Sequence, residues 1–239
     1  MEILFFLAAY FSEIIGTMAG FGSSTVFLPL ALVFFDFKTA LVLVALLHIF
    51  GNISRFSFFR RGLHAHMLIS FGIPSVIFTI IGALSVSYLS QTILKGLLGI
   101  FLAAYALIFL VKEKLKIKST LTNSIIGGGL SGFLAGLIGT GGALRGAFLT
   151  AFGLPKESYI ATAAVIALMV DMTRIPIYFA SGFLDNKHFW YIPLLFLMAI
   201  AGSYTGKNIV SHMSQKLFRK IVLLGVLAIG IKFVYDWLL

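Results

Sequence analysis

Cysteine is absent from the 239-residue chain. That excludes disulfides, cysteine–zinc centres and thiol catalysis, and it leaves the redox compartment open. Charge is scarce too: Asp, Glu, Lys and Arg together make up 11% of the residues, about half of what a soluble domain carries. Acidic residues number 8 against 18 Lys and Arg, a net charge of +10. Such an excess would suit nucleic acid, but here the basic residues cluster between apolar blocks, as cytoplasmic loops do. No aromatic base-stacking platform accompanies them, so nucleic acid is not an expected partner. The N-terminus has no basic n-region, so a cleaved signal peptide is not expected and the first segment should be retained. Nucleophile elbows, Walker lysine loops and paired metal histidines are all missing, and neither a metal nor a cofactor is expected. Gly127 to Gly132 match the dinucleotide fingerprint in letters only, since no strand precedes them in their apolar block.

What the chain has instead is apolar mass. Hydrophobic residues make up 60% of it, and Phe alone occurs 25 times. The apolar blocks run over 3–35, 39–59, 67–89, 92–111, 121–153, 158–184, 188–206 and 217–239. A membrane helix needs about 20 such residues. Short polar stretches separate the blocks, and none is long enough for a soluble domain. The fold class implied is an all-α polytopic membrane protein forming one integral membrane domain.

The first and fifth blocks are too long for one span, and glycine breaks both. Gly16 aligns with Gly132, Ala19 with Ala135, Gly20 with Gly136 and, after one inserted residue, Gly22 with Gly139. Further along, Asn52 and Arg55 match Asp171 and Arg174 at the same mutual spacing, and Ser90-Gln91 match Ser214-Gln215. Matches in constant order predict two tandem repeats of about four hydrophobic segments, 1–118 and 119–239, each opened by a glycine-broken helix. Arg60 and Arg61, the lysines from Lys112 to Lys118, and Lys207 to Lys220 fall on one side only if the fifth block enters and leaves on the same face. The repeats are then inverted and the C-terminus is outside. Eight simple spans are the alternative.

A broken helix exposes free N–H groups and the positive end of its dipole where it resumes. At membrane depth such backbone survives only against protein or a water-filled cavity, and it suits an anion. This makes Gly20, Gly22, Ser23, Ser24, Thr25, Gly139, Thr140, Gly141 and Gly142 candidate substrate-binding residues. The bland reading, close helix packing, is assigned to Gly16, Gly20, Gly128, Gly132 and Gly136, spaced four apart. It accounts less well for the run Gly139 to Gly142. Arg145, one turn into the resumed helix, needs a partner or a purpose, since a charge at the bilayer centre costs about 2.5 kcal/mol or more. An anion would serve, and a structural pair with Asp171 is the competing account. His48, Asn52 and Arg55 share one helix face, and Asp171 and Arg174 form the matching face, followed by Pro176. Asn52, Asp171 and Arg174 join the candidate site, although Asp171 and Arg174 also have a simple reason to neutralise one another. His48 and Asp171 are the candidates for proton coupling, against the commoner role of a lone His as a packed core residue. Arg55, close to Arg60 and Arg61, is expected nearer the interface.

At Gly16 to Pro29 and Gly132 to Leu149 the sequence resembles the TauE/SafE family of sulfite exporters, also called the toluene sulfonate uptake permeases. Nearly the whole length takes part, in size, block count and duplication. The resemblance implies a multi-pass transporter of the cytoplasmic membrane, carrying sulfite, sulfonates or related small organic anions, with its site at the two glycine motifs. The chain departs from the family pattern at Ser23-Ser24, where glycines are usual, at Gly146, where proline is usual, and at Arg145. The reading is a secondary anion transporter and not an enzyme, with the bilayer and a small anion as partners, as a monomer or homodimer. An anion channel is the first alternative, and a membrane-embedded enzyme is the second.

Overall fold

A computed structural model describes residues 1–19, 22–59, 62–112, 117–209 and 215–239. Among these the regular structure is helical throughout. The order is α1 (Glu2–Ala19), α2 (Ser24–Ala31), α3 (Phe37–Phe59), α4 (Ala65–Met67), α5 (Ile73–Ser85), α6 (Gln91–Val111), α7 (Leu121–Ile138), α8 (Gly142–Ala151), α9 (Lys156–Ala180), α10 (Tyr191–Ile209) and α11 (Gln215–Leu238). Among the described residues six segments are long and apolar enough to cross a membrane: Phe37–Ser57, Ala65–Tyr88, Gln91–Val111, Leu121–Ile138, Ser158–Ala180 and Asn186–Ile209.

Helix starts follow local chemistry. Asp36 Oδ1 accepts the N–H of Lys38 and Thr39 ahead of α3, and the hydroxyls of Ser90 and Thr120 accept those of Ile93 and Asn123 at α6 and α7. A single π-turn, Leu68–Gly72, joins α4 to α5. It ends two residues before Pro74, whose ring would clash with the carbonyl of Ser70 in regular α-geometry, and the wider turn absorbs that.

Side chains are distributed inside out relative to a soluble bundle. Ile69, Ile73, Ile77, Ile80 and Leu84 stand exposed, whereas Glu13, His48, Asn52, Asp171 and Arg174 are buried. Lipid makes that arrangement favourable: apolar surface faces hydrocarbon at no cost, and polar groups must find partners inside. Small residues bring the helices close. A Cβ added at Gly128, Gly132 or Gly136 on α7 would fall 2.2, 2.0 and 2.3 Å from the carbonyl oxygens of Phe71, Ser75 and Thr79. The hydroxyls of Ser75 and Thr79 donate to Gly128 O and Gly132 O, each at 3.0 Å. These three glycines therefore do the close-packing work their spacing suggested.

The two halves present the same run of elements: a helix, a break, a short helix, then three longer segments. Their packing also interchanges. α1 lies on α10 as α7 lies on α5, α3 lies on α10 as α9 lies on α5, α3 meets α9, and α6 meets α11.

Candidate functional site

Two hairpins build the site. α2 has 8 residues and α8 has 10, about 12 and 15 Å at 1.5 Å per residue, which is half a bilayer core or less. Each folds back on the helix before it. A Cβ at Gly16 would strike Ser23 N at 2.3 Å, so the first break lies against α1 itself. Gly16 thus packs on its own hairpin and not on another long helix. In the second half, Ser131 Oγ donates to Gly141 O at 2.8 Å, and a Cβ at Gly141 would come 2.0 Å from Ser131 O. Gly139 ends α7 in the left-handed region, φ +72°, and Gly22 holds φ +88° in the first break. Backbone geometry thus accounts for Gly139 and Gly141, two members of a run whose composition pointed to a ligand. Gly20 lies outside the described residues.

The breaks meet. Thr25 Oγ1 and Thr140 Oγ1 share a hydrogen bond of 2.9 Å, linking residues 115 apart in sequence, and both side chains are buried. A Cβ at Gly22 would sit 3.2 Å from His48 Nε2 and 3.9 Å from Gly142 Cα. The first break, the start of α8 and the middle of α3 therefore converge on one point. Ser23 and Ser24 are buried beside it, and Ser23 Oγ has no hydrogen-bond partner among the described residues.

Two braces flank the junction. His48 Nδ1 lies 2.8 Å from Asp171 Oδ2, while Arg174 Nε donates to Asp171 Oδ1 at 2.9 Å. Arg174 also donates to Ala135 O at 2.8 Å, and Tyr178 donates to Gly136 O at 2.6 Å. These bonds satisfy carbonyls near the end of α7, where helix geometry leaves them open. The other brace joins Arg55 to Glu13, with Arg55 also donating to Asn52 Oδ1 at 2.9 Å and Thr17 Oγ1 at 3.3 Å. Ser203 donates to the same Glu13 oxygen at 2.9 Å, and Asn52 donates to His48 O at 2.7 Å. Arg55 is thus buried in the bundle, where Glu13 of α1 supplies its counter-charge. Glu13 is the residue the sequence reading overlooked. Its signal was there, as a carboxylate inside the first apolar block, and a Cβ at Gly51 would overlap it at 2.3 Å.

Arg145 is different. It is 5% exposed and makes no hydrogen bond or ion pair with the described residues. The structural pair with Asp171 does not form, since both oxygens of that carboxylate are engaged by His48 and Arg174. Arg145 nonetheless sits within electrostatic reach of His48, Asp171 and Arg174. Among the described residues, the buried charges are three guanidiniums (Arg55, Arg145 and Arg174) against two carboxylates (Glu13 and Asp171). One positive charge is left over, carried by the first turn of α8.

The sulfite exporter TauE/SafE family model matches residues 5–233. The chain belongs to the TauE/SafE family. It is also similar to a protein of Methanocaldococcus jannaschii whose name reads "Probable membrane transporter protein", with 28% identity over 225 residues, 85% of this chain and 83% of that one. No solved structure matches. With its six apolar helices, the TauE/SafE chain is a multi-pass membrane transporter.

Proposed function

We propose that this transporter carries small anions, such as sulfite, sulfonates or related organic anions, out of the cell across the cytoplasmic membrane as a secondary exporter. The observation that carries the reading is Arg145, a buried guanidinium with no partner among the described residues, on the short helix that follows one of two convergent breaks. A buried unpaired charge is costly. An anion at the junction would neutralise it, taking N–H donors from the starts of α2 and α8 and hydroxyls from Ser23, Ser24, Thr25 and Thr140. Gly22 and Gly142 would let it approach the backbone. Arg174, Asp171 and Asn52 border the site and hold it in shape.

Alternating access follows from the architecture if residues 1–118 and 119–239 are inverted repeats. The interchange of packing partners supports reading the halves as repeats, and rocking of one half against the other would open the junction to each side in turn. An inside-negative potential favours anion efflux by about 2.3 kcal/mol per charge per 100 mV, so export needs no nucleotide. The test is flux of labelled sulfite in proteoliposomes, with and without a pH gradient. Saturable flux that is accelerated by unlabelled sulfite on the opposite side is expected. Unsaturable flux with no such exchange would replace the transporter with a channel, and no flux of sulfite, sulfonates or carboxylates by folded protein would reject the anion reading.

A further inference from the structure

His48 has one ring nitrogen engaged and one bare. Nδ1 faces Asp171 Oδ2 at 2.8 Å. That carboxylate is already bonded to the permanently charged Arg174, so it is ionised and can only accept. The hydrogen of the bond therefore belongs to Nδ1, and in the neutral ring Nε2 holds a lone pair. Nε2 is buried with no hydrogen-bond partner among the described residues. It points at the junction, where glycine at position 22 leaves open the space that a Cβ would fill 3.2 Å away.

The groups around that space are unequal in kind. Backbone N–H groups at the starts of α2 and α8 and the Arg145 guanidinium only donate, while the hydroxyls of Ser23, Thr25 and Thr140 turn either way. Neutral His48 Nε2 only accepts. The charged groups facing His48 are Asp171 and Arg174 on α9 and Arg145 on α8. α2 and α7 carry no ionisable side chain, and Glu13 of α1 is engaged by Arg55 and Ser203. On α10 the ionisable residues are Tyr191, Tyr204 and Lys207, at or toward its ends.

We infer that the junction selects an oxyanion bearing its own hydroxyl hydrogen, with that O–H donated to His48 Nε2 and the ionised oxygens turned to Arg145 and the helix N-termini. The inference rests on reading the junction as the anion site, and it names the class of anion: one protonated oxygen and at least one ionised oxygen. Hydrogen sulfite belongs to the class, and a fully ionised sulfonate does not. Transfer along the new bond would break O–H and form Nε2–H. The product is an imidazolium against Asp171 and a dianion against Arg145, with nothing oxidised or reduced, and the reverse step returns the proton with its anion. A sulfonate would set an oxygen lone pair against the nitrogen lone pair and leave a buried acceptor unsatisfied.

Two measurements test this on the full-length protein. Nitrogen-15 spectra of histidine-labelled protein, with H48Q to identify the signal, read the tautomer with no ligand present. Neutral His48 with its hydrogen on Nδ1 is expected, and a neutral Nε2–H tautomer overturns the inference. Binding of sulfite and methanesulfonate is then titrated over a range of pH. Sulfite at low pH, as hydrogen sulfite, is expected to bind about tenfold or more tightly than methanesulfonate, from one unsatisfied buried acceptor. The preference should fade as pH rises and the hydroxyl hydrogen is lost. In H48Q, whose amide offers a donor to either anion, it should fall to near parity. Equal binding by wild type, or an undiminished preference in H48Q, overturns the inference while leaving the anion site standing. If neither anion binds, the site reading itself fails and takes the inference with it.

Discussion

The two broken helices share one scaffold and carry different chemistry. Asn52 and Asp171 occupy the sixteenth positions of α3 and α9, and Arg55 and Arg174 the nineteenth. Phe27 and Arg145 both stand fourth in their short helices. In the first half the amide of Asn52 needs no counter-charge, so Arg55 draws its carboxylate from α1, and the fourth position is filled by a buried ring. In the second half the carboxylate sits on the same helix as its arginine, and the fourth position holds a buried cation with no partner among the described residues. Symmetric backbone makes a place where two dipoles converge, and asymmetric side chains give that place a net charge. The sign of the site comes from one substitution in the pattern, not from the fold.

The comparison breaks most visibly at Asp171. D171N would make the second half resemble the first at that position, but with no Glu13 counterpart to rescue Arg174. Removing one partner of a buried pair costs about 3–5 kcal/mol, so a large fall in thermal stability in detergent is expected. A variant that melts with wild type would show that the brace at Asp171 is not what holds the second break in place. E13Q is the matching change in the first half. Arg55 keeps its bonds to Asn52 and Thr17 and is 9% exposed, so the loss should be smaller, about 2–3 kcal/mol. A loss greater than that of D171N would reverse the ranking of the halves.

The smallest effect is expected where the halves touch. T25V and T140V each remove the same hydrogen bond, worth about 1 kcal/mol. The double variant should cost little more than either single one, because the pair acts as a unit. Full additivity would mean that the two hydroxyls serve separate partners.

Much of this was legible in the sequence. Block lengths and glycine clusters gave the helices and both breaks, because apolar length and backbone flexibility are local properties. The matched pairs Asn52–Arg55 and Asp171–Arg174 gave the position of the braces, because side chains three apart share a helix face. Partners across the bundle were not legible. Arg55 looked interfacial because its sequence neighbours Arg60 and Arg61 are basic, whereas its counter-charge Glu13 lies 42 residues away. Arg145 and Asp171 looked like a pair because opposite charges in a membrane attract. Nothing in the sequence says that His48, from the other half, and Arg174 fill both oxygens of that carboxylate first. The left-handed cap at Gly139 and the contact of Gly141 with Ser131 are also tertiary facts. They explain glycines that composition alone assigned to a ligand.

The most direct test of the central claim is to compare R145A with wild type in two assays on the same preparation. Because Arg145 has no partner among the described residues to leave behind, its removal should not lower unfolding stability and should raise it if anything. Because it supplies the uncompensated charge, sulfite affinity and flux should fall by about tenfold or more. Preserved stability with lost affinity would place the anion at the junction. Unchanged affinity and flux in a folded R145A protein would contradict the account.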